Sequence, residues 1–406
     1  MMIITMVYNT FFGLIPLFFK KRKEIISNNS EFVSILIPVF NDGDILEKNL
    51  ENLVKLNYPN YEILIIYSEK SKDRTKEVAL TFSEKYKNIK AISENISKPN
   101  ALNLGIDSAK GEYLLFLDSD TFIYNGFIER ALSYFSDPKV KVVASSPLGL
   151  NSTQNFVTRL AWIILNFKNF IEIGTNKYLH HIKFNGFGAI WRKSALIEGD
   201  KFRIDSSIED AEFNLRVNSK FPTWKGISDY ELPCYQYFPT SFKSFYLQQL
   251  RWNLGNFKYD AKGIFRISGM GIRQKFFYSS IFLMATLFPI ITLFSTGMSF
   301  VQFFANFFYP NIAFGGGLFI ILLGAISVTI SFIAMFIFIY SQYQKNSLVK
   351  LSWKFIIIGN LIMIYFLFLI LGIVALNALK SLIIRKKAKD IYWKVDKSEI
   401  QYTSPD

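Results

Sequence analysis

Tyr113-Leu114-Leu115-Phe116-Leu117-Asp118-Ser119-Asp120 is a short apolar run that ends in two carboxylates. Such a run reads as a buried strand. On an extended chain residues two apart point to the same side, so Asp118 and Asp120 face one site at the strand's carboxyl end. Hard oxygen ligands of this kind suit Mg²⁺ or Mn²⁺, and such an ion could bridge a diphosphate and neutralise it as it departs. The structural alternative is a solvated turn after a strand; the position straight behind a buried run favours the site.

Working outward, Val33 to Val39 forms another buried strand, followed by leucines at helical spacing from 44 to 56. Glu62 to Tyr67 is a strand, Thr75 to about Tyr86 a helix, Ile89 to Ile92 a short strand, and a further helix starts near Pro99. Strands alternating with helices predict an α/β fold, a mostly parallel sheet with helices on both faces. Sheets of this type bind ligands at the carboxyl ends of their strands. The α/β unit spans 32–260. Residues 156–171 and 242–257 read as aromatic-rich helices with scattered Lys and Arg, suited to a membrane–water boundary.

Both ends of the chain have a different character. Residues 1–24 form an apolar stretch closed by Lys20-Lys21-Arg22-Lys23, read as a signal-anchor or interfacial helix. Between 276 and 384 three apolar stretches, near 277–305, 313–340 and 355–384, each exceed the length needed to cross hydrocarbon. Residues 385–406 are a basic tail. With the α/β unit at the cytoplasmic face, three spans put that tail outside, against the preference of Arg385-Lys386-Lys387 for the inside.

Composition narrows the chemistry. Of the 406 residues half are hydrophobic and 17% aromatic, and the net charge is +14. The basic residues form no short arm interleaved with aromatics, so anionic lipid headgroups and substrate phosphates account for the charge, and nucleic acid does not. Cys234 is the single cysteine and the two histidines are the neighbours His180 and His181, which excludes an intrachain disulfide and leaves no cast for a Cys/His zinc site or a Ser-His or Cys-His nucleophile.

Further polar signatures follow the D-x-D pair. Glu209-Asp210 opens a helix, with Asp210 placed as general base for an acceptor hydroxyl and Glu209 raising its proton affinity by like-charge repulsion. Ser206 stands three residues before Glu209, so a capping box is the structural rival. Gln248, Arg251 and Trp252 share one helix face, where a guanidinium and an indole can meet phosphate and sugar. Lys98 sits where a helix begins, with Pro99 at a favoured first-turn position, a place for an anion. Asn185-Gly186-Phe187-Gly188 is small enough for backbone to approach a sugar, or simply turns the chain.

Taken in order, these residues resemble an inverting family-2 glycosyltransferase of the GT-A fold, most similar to the membrane branch of cellulose, chitin, hyaluronan and poly-N-acetylglucosamine synthases and ceramide glucosyltransferases. The resemblance runs through Val33 to Asp42, Asp73-Arg74-Thr75, Lys98 to Asn103, Leu117 to Asp120, Phe184-Asn185-Gly186, Ile208-Glu209-Asp210, Leu232-Pro233 and Gln248-x-x-Arg251-Trp252. It implies a nucleotide pocket near Pro38, Phe40 and Asp42, with Lys98, Asp118 and Asp120 serving the donor and Asp120 the more direct metal ligand. It assigns Asp210 as base, and Asn185, Gly186, Gln248, Arg251 and Trp252 to the donor and acceptor channel. The chain departs from the family after its second strand, where Ser68 and Glu69 replace two aspartates; Glu69 can still accept from a base N–H, and a donor other than a UDP-sugar stays open. The implied partners are a nucleotide sugar, a polysaccharide or lipid acceptor, and membrane lipid.

Two classes are to be separated: a transferase that turns over its donor, and a non-catalytic membrane protein, either a degenerate scaffold or a transporter subunit, that binds nucleotide sugar intact. Charge within the apolar stretches would mark a transporter, and they carry almost none apart from Lys380. A glycoside hydrolase is disfavoured because Asp118 and Asp120 stand too close to flank a bond from opposite sides.

Overall fold

The computed structural model describes residues 31–260 apart from 96 and 207, residues 270–282, scattered positions between 286 and 337, and residues 359–383. The expected helix within 1–24, the basic tail 385–406, all but two residues of the second apolar stretch and about half of the first lie outside the described residues.

The chain alternates as its periodicity predicts: β1 (Val33–Val39), α1 (Gly43–Leu53), β2 (Tyr61–Tyr67), α2 (Thr75–Lys85), β3 (Ile89–Ser93), α3 (Lys98–Ser108) and β4 (Tyr113–Phe116). Then come α4 (Phe127–Leu132), β5 (Val140–Gly149), α5 (Phe156–Leu179), β6 (Ala189–Arg192), α6 (Lys193–Glu198), α7 (Glu209–Lys220), β7 (Lys225–Gln236) and α8 (Phe242–Gly255). Beyond a π turn at Asn256–Asp260 lie α9 (Ile272–Phe282) and α10 (Gly359–Ile383).

The strands form one seven-stranded sheet in the order β3-β2-β1-β4-β6-β5-β7. β1 pairs in parallel with both β2 and β4, so the strand order reverses between β1 and β4. β6 runs antiparallel to β4 and to β5, and β7 returns parallel to β5. Six of the seven strands thus run the same way and β6 alone is reversed, which is the mostly parallel sheet expected. β5 and β7 were not foreseen because Pro147, Gly149 and Pro233 interrupt their apolar pattern and pairing shifts register between Ala144 and Ser146, and β6 is only four residues long. Tertiary pairing overrides the weak local signal.

Residues of alternate parity go to opposite faces. Ile35, Ile63 and Leu115 enter one core, while Leu36, Leu64, Leu114 and Phe116 enter the other. This period of two on a run that is apolar throughout is what a strand buried on both faces requires. Phe184, Trp191, Phe202 and Phe213 stack edge-on or tilted beneath the second face, with centroids 5.0–6.0 Å apart.

α10 is the described remnant of the third apolar stretch. It docks on α8 through Val374 and Ala378 against Leu250 and Leu254, and Asn377 Nδ2 donates to Tyr246 Oη at 2.8 Å. Its side chains are described continuously only from 369 to 383, and among the described residues no helix is long and apolar enough to cross a membrane.

Candidate active site

The site opens at the carboxyl ends of β1 and β4, the switch point where strand order reverses. Asp42 lies just beyond β1, and its Oδ2 accepts from Ser119 Oγ at 2.8 Å, which ties the first loop to the D-S-D turn. The Asp73-Arg74-Thr75 segment braces that loop from the side. Asp42 N donates to Thr75 Oγ1 at 2.9 Å and Gly43 N to Asp73 Oδ2 at 2.9 Å. A methyl group on Gly43 would come within 2.7 Å of Thr75 N, so only glycine permits this close approach.

Asn49, buried on α1, holds the D-S-D turn by its backbone. Its amide donates to the carbonyls of Ser119 at 3.2 Å and Thr121 at 3.1 Å, and lies 3.5 Å from that of Asp118. The sequence reading passed it by. The available signal was a polar residue inside the stripe Ile45, Leu46, Leu50, Leu53, where apolar side chains belong.

Lys98 is the hub of the cleft. Ser97 caps α3 by accepting from Asn100 N, and Lys98 in the first turn reaches Asp118 Oδ1 at 2.9 Å and Glu209 Oε1 at 3.8 Å. Burial alone would weaken its hold on a proton, but the charges of Asp118 and Glu209 outweigh that, and the ammonium form is favoured. Arg251 opposes this as a like charge, which places the α8 guanidinium in the same field.

Across the cleft α7 begins at Glu209, with Ile208 at the cap position and no side-chain cap. The Ser206–Glu209 capping box therefore does not form. Ser206 Oγ instead meets Tyr259 Oη at 2.9 Å and accepts from Ile208 N. Glu209, with 10% of its side chain exposed, binds a proton more tightly than usual, first through burial and then through Asp210; Lys98 and Arg251 pull the other way. Like-charge repulsion in the pair thus shows on Glu209. Asp210 Oδ1 accepts from Ala211 N at 2.8 Å, and its Oδ2 faces Gly186. Gly186 has φ +83°, and a methyl group there would lie 3.5 Å from Asp210 Oδ2 and 4.0 Å from Lys98 Nζ.

The structure brings Lys98, Asp118, Gly186, Glu209, Asp210 and Arg251 to one cleft, with Asp42 joined through Ser119. Cys234 is a buried thiol pushed up to about 12, first by burial, with the charges of Asp118 and Asp120 adding to the rise. Pro38 ends in β1 and Phe40 just beyond it, at the mouth. Gln248, Arg251 and Trp252 are half-buried on one face of α8, and Lys168 of α5 lies over the Trp252 ring at 4.2 Å. Asn185 meets the buried Glu172 of α5. Glu69 stands apart at the end of β2. Its carboxylate takes Lys76 Nζ at 2.6 Å and Tyr67 Oη at 3.2 Å, and the bond from Lys76 holds it below the usual glutamate range.

Among the described residues no group of three or more His, Cys, Asp and Glu side chains could hold a metal ion. Asp118 and Asp120 supply two hard oxygen donors on one short turn, which fits a divalent ion whose other ligands come from a diphosphate.

The family model described as Glycosyl transferase family 2 matches residues 34–198, from β1 to the end of α6. Curated relatives include Glycosyltransferase AglE of Haloferax volcanii, 34% identical over 119 residues that cover 28% of this chain and 39% of the relative. Glucomannan 4-beta-mannosyltransferase 9 of Arabidopsis thaliana is 27% identical over 58% of this chain and 46% of its own length. Poly-beta-1,6-N-acetyl-D-glucosamine synthase of Staphylococcus aureus is 26% identical over 58% of this chain and 57% of its own length. The chain thus spans about half the length of the curated relatives it matches. Among solved structures, the mannosyltransferase PcManGT from Pyrobaculum calidifontis, in complex with GDP-Man and Mn²⁺, superposes with TM-score 0.62 and 14% identity, over 95% of this chain and 96% of that one. That likeness is one of fold.

Proposed function

We propose that the chain is an inverting, metal-dependent glycosyltransferase that moves a sugar from a nucleoside diphosphate donor, UDP-linked by the resemblance, to a polysaccharide or lipid-linked acceptor at the cytoplasmic face of a membrane. The observation that carries this reading is the meeting of three distant segments around Lys98: Asp118 behind β4, Glu209-Asp210 on α7 and Arg251 on α8. The family match over 34–198 and relatives that are glycosyltransferases support it.

Asp210 is the base. Its Oδ2, open toward Gly186, takes the proton of an acceptor hydroxyl. The acceptor oxygen bonds to the anomeric carbon as the bond from that carbon to the diphosphate oxygen breaks, with inversion at the carbon. The nucleoside diphosphate leaves with the electron pair, and Lys98 and Arg251 stabilise the charge that develops on it. Asp118 and Asp120 would hold the divalent ion, which when bound neutralises the diphosphate. Trp252 and Gln248 line the acceptor side.

Membrane attachment is supported by the apolar α10 docked on α8 and by apolar side chains left open on the same group of helices, Phe156 at the start of α5, Phe242 at the start of α8, and Ile373 and Ile383 on α10. A lipid surface would cover them.

The test is the full chain reconstituted in lipid, given Mn²⁺ and a panel of UDP- and GDP-sugars, with nucleotide release and product size followed together. A ladder of sugars marks a polymer synthase, and a single addition marks lipid glycosylation. Donor bound tightly with no release under any condition would establish the non-catalytic scaffold instead.

A further inference from the structure

Glu172 is a buried carboxylate for which the reaction above has no use. It sits on α5 with 8% of its surface exposed, and it accepts from Ser228 Oγ of β7 at 3.2 Å and from the Asn185 side chain. Burial makes it harder to ionise, while Lys183 and Lys168 act to keep it charged. Lys168 lies one helical turn earlier on α5 and covers the Trp252 ring. The same helix is fixed to the sheet by a row of asparagines. Asn169 Nδ2 donates to Pro147 O at 3.4 Å, and Asn176 Nδ2 donates to Gly226 O at 3.0 Å and His181 O at 3.2 Å, while its Oδ1 accepts from Ser228 N at 3.0 Å. α5 is therefore a rigid bar held on β5 and β7, with one polar side chain under the Asn185-Gly186 turn and another against the α8 indole.

We propose that Glu172 is a positioning residue for the transfer reaction: its carboxylate fixes the Asn185-Gly186 turn, and with Lys168 on the same helix it sets the distance between that turn and Trp252. The turn carries Gly186, which faces Asp210, so a shift there moves the wall of the cleft that confronts the base. A buried carboxylate suits this task because its hydrogen bonds are charge-assisted, stronger and more directional than those of a neutral group. The cost of burying it is offset only while its partners stay in place. The inference rests on the proposed transferase reading for its kinetic consequence, but not for its structural one.

The experiment separates the two. Amide hydrogen exchange is measured on the full chain in lipid for wild type, Glu172→Ala, Asn185→Asp, and Asn185→Asp combined with Glu172→Gln. Asn185→Asp sets two carboxylates against each other, and the double variant restores the bond with its polarity reversed. We expect exchange at residues 185–187 to rise about tenfold in both single variants while β1 and β4 stay protected, and to return within about threefold of wild type in the double variant. UDP binding in Mn²⁺ should stay within about twofold in Glu172→Ala, while sugar transfer falls at least tenfold relative to donor hydrolysis. If Glu172→Ala unfolds the chain, the Asn185→Asp pair of variants carries the same comparison. Unchanged exchange at 185–187, or a double variant no closer to wild type than Asn185→Asp, overturns the positioning role. Loosening and rescue without nucleotide release from wild type would leave it standing and defeat the transferase reading.

Discussion

Replacing Asn49 by leucine tests how the D-S-D turn is held. Leucine keeps nearly the same shape in a position with no exposed surface, so what is lost is hydrogen bonding. The amide has two hydrogens for three carbonyls, and Asp118 O keeps its bond from Thr121 N at 3.0 Å. The loss therefore falls on Ser119 O and Thr121 O, at about 1–3 kcal/mol for each buried acceptor left unmade. Two terms offset it: Asn49 Oδ1 has no partner among the described residues, and leucine is less costly to bury. The net is on the order of 2 kcal/mol, a fall of roughly 4–8 °C in melting temperature for a domain of this size. The loss also reaches the site, because Asp118 and Asp120 ride on that backbone. Calorimetry should show Mn²⁺-dependent UDP binding weakened about tenfold, which corresponds to about 1.4 kcal/mol. A variant that melts within 1 °C of wild type and binds Mn²⁺ and UDP unchanged would refute the claim that Asn49 positions the carboxylates.

Further outcomes follow from the same geometry. Asp210→Asn should lower transfer by at least about a hundredfold with nucleotide affinity retained, and a variant keeping most of its turnover would displace Asp210 as base. Gly186→Ala must hold a side chain at φ +83° and sets a methyl group 3.5 Å from Asp210 Oδ2; it should cost about 1–2 kcal/mol in stability and reduce transfer more than UDP binding, as read by melting and steady-state kinetics. His181 is buried and holds its proton far less readily than a free histidine, through burial first and then Lys183 and His180. A histidine kept neutral in the fold supports stability above its ordinary value of 6.5 and withdraws that support as pH falls below it, so wild type should lose more stability between pH 7 and pH 5 than His181→Leu. Equal losses in the two proteins would remove His181 from the account.

Much of the first half of the fold was legible because it depends on local pattern. Val33–Val39 and Tyr113–Phe116 are largely apolar runs too short for helices, and the helices between them carry apolar stripes, so the α/β alternation followed directly. The second half was harder. β5 and β7 contain Pro147, Gly149 and Pro233, and their strand character comes from pairing across a register shift, which no local window records. The π turn after α8 and the docking of α10 on Leu250 and Leu254 are likewise products of packing.

For the candidate site, the sequence alone determined the kinds of groups and their local presentation: carboxylates behind a buried strand, an acidic pair, a lysine opening a helix, and a guanidinium and an indole on one helix face. Residue chemistry and the periods of strand and helix are enough for that. Only the tertiary structure decided that these groups share a field around Lys98, that Ser206 turns to Tyr259 instead of capping α7, and that Asn49 and Glu172 hold the turns from behind. Each of those facts is a contact between separate elements of the fold, and the energy that selects it exists only once the sheet has brought the segments together.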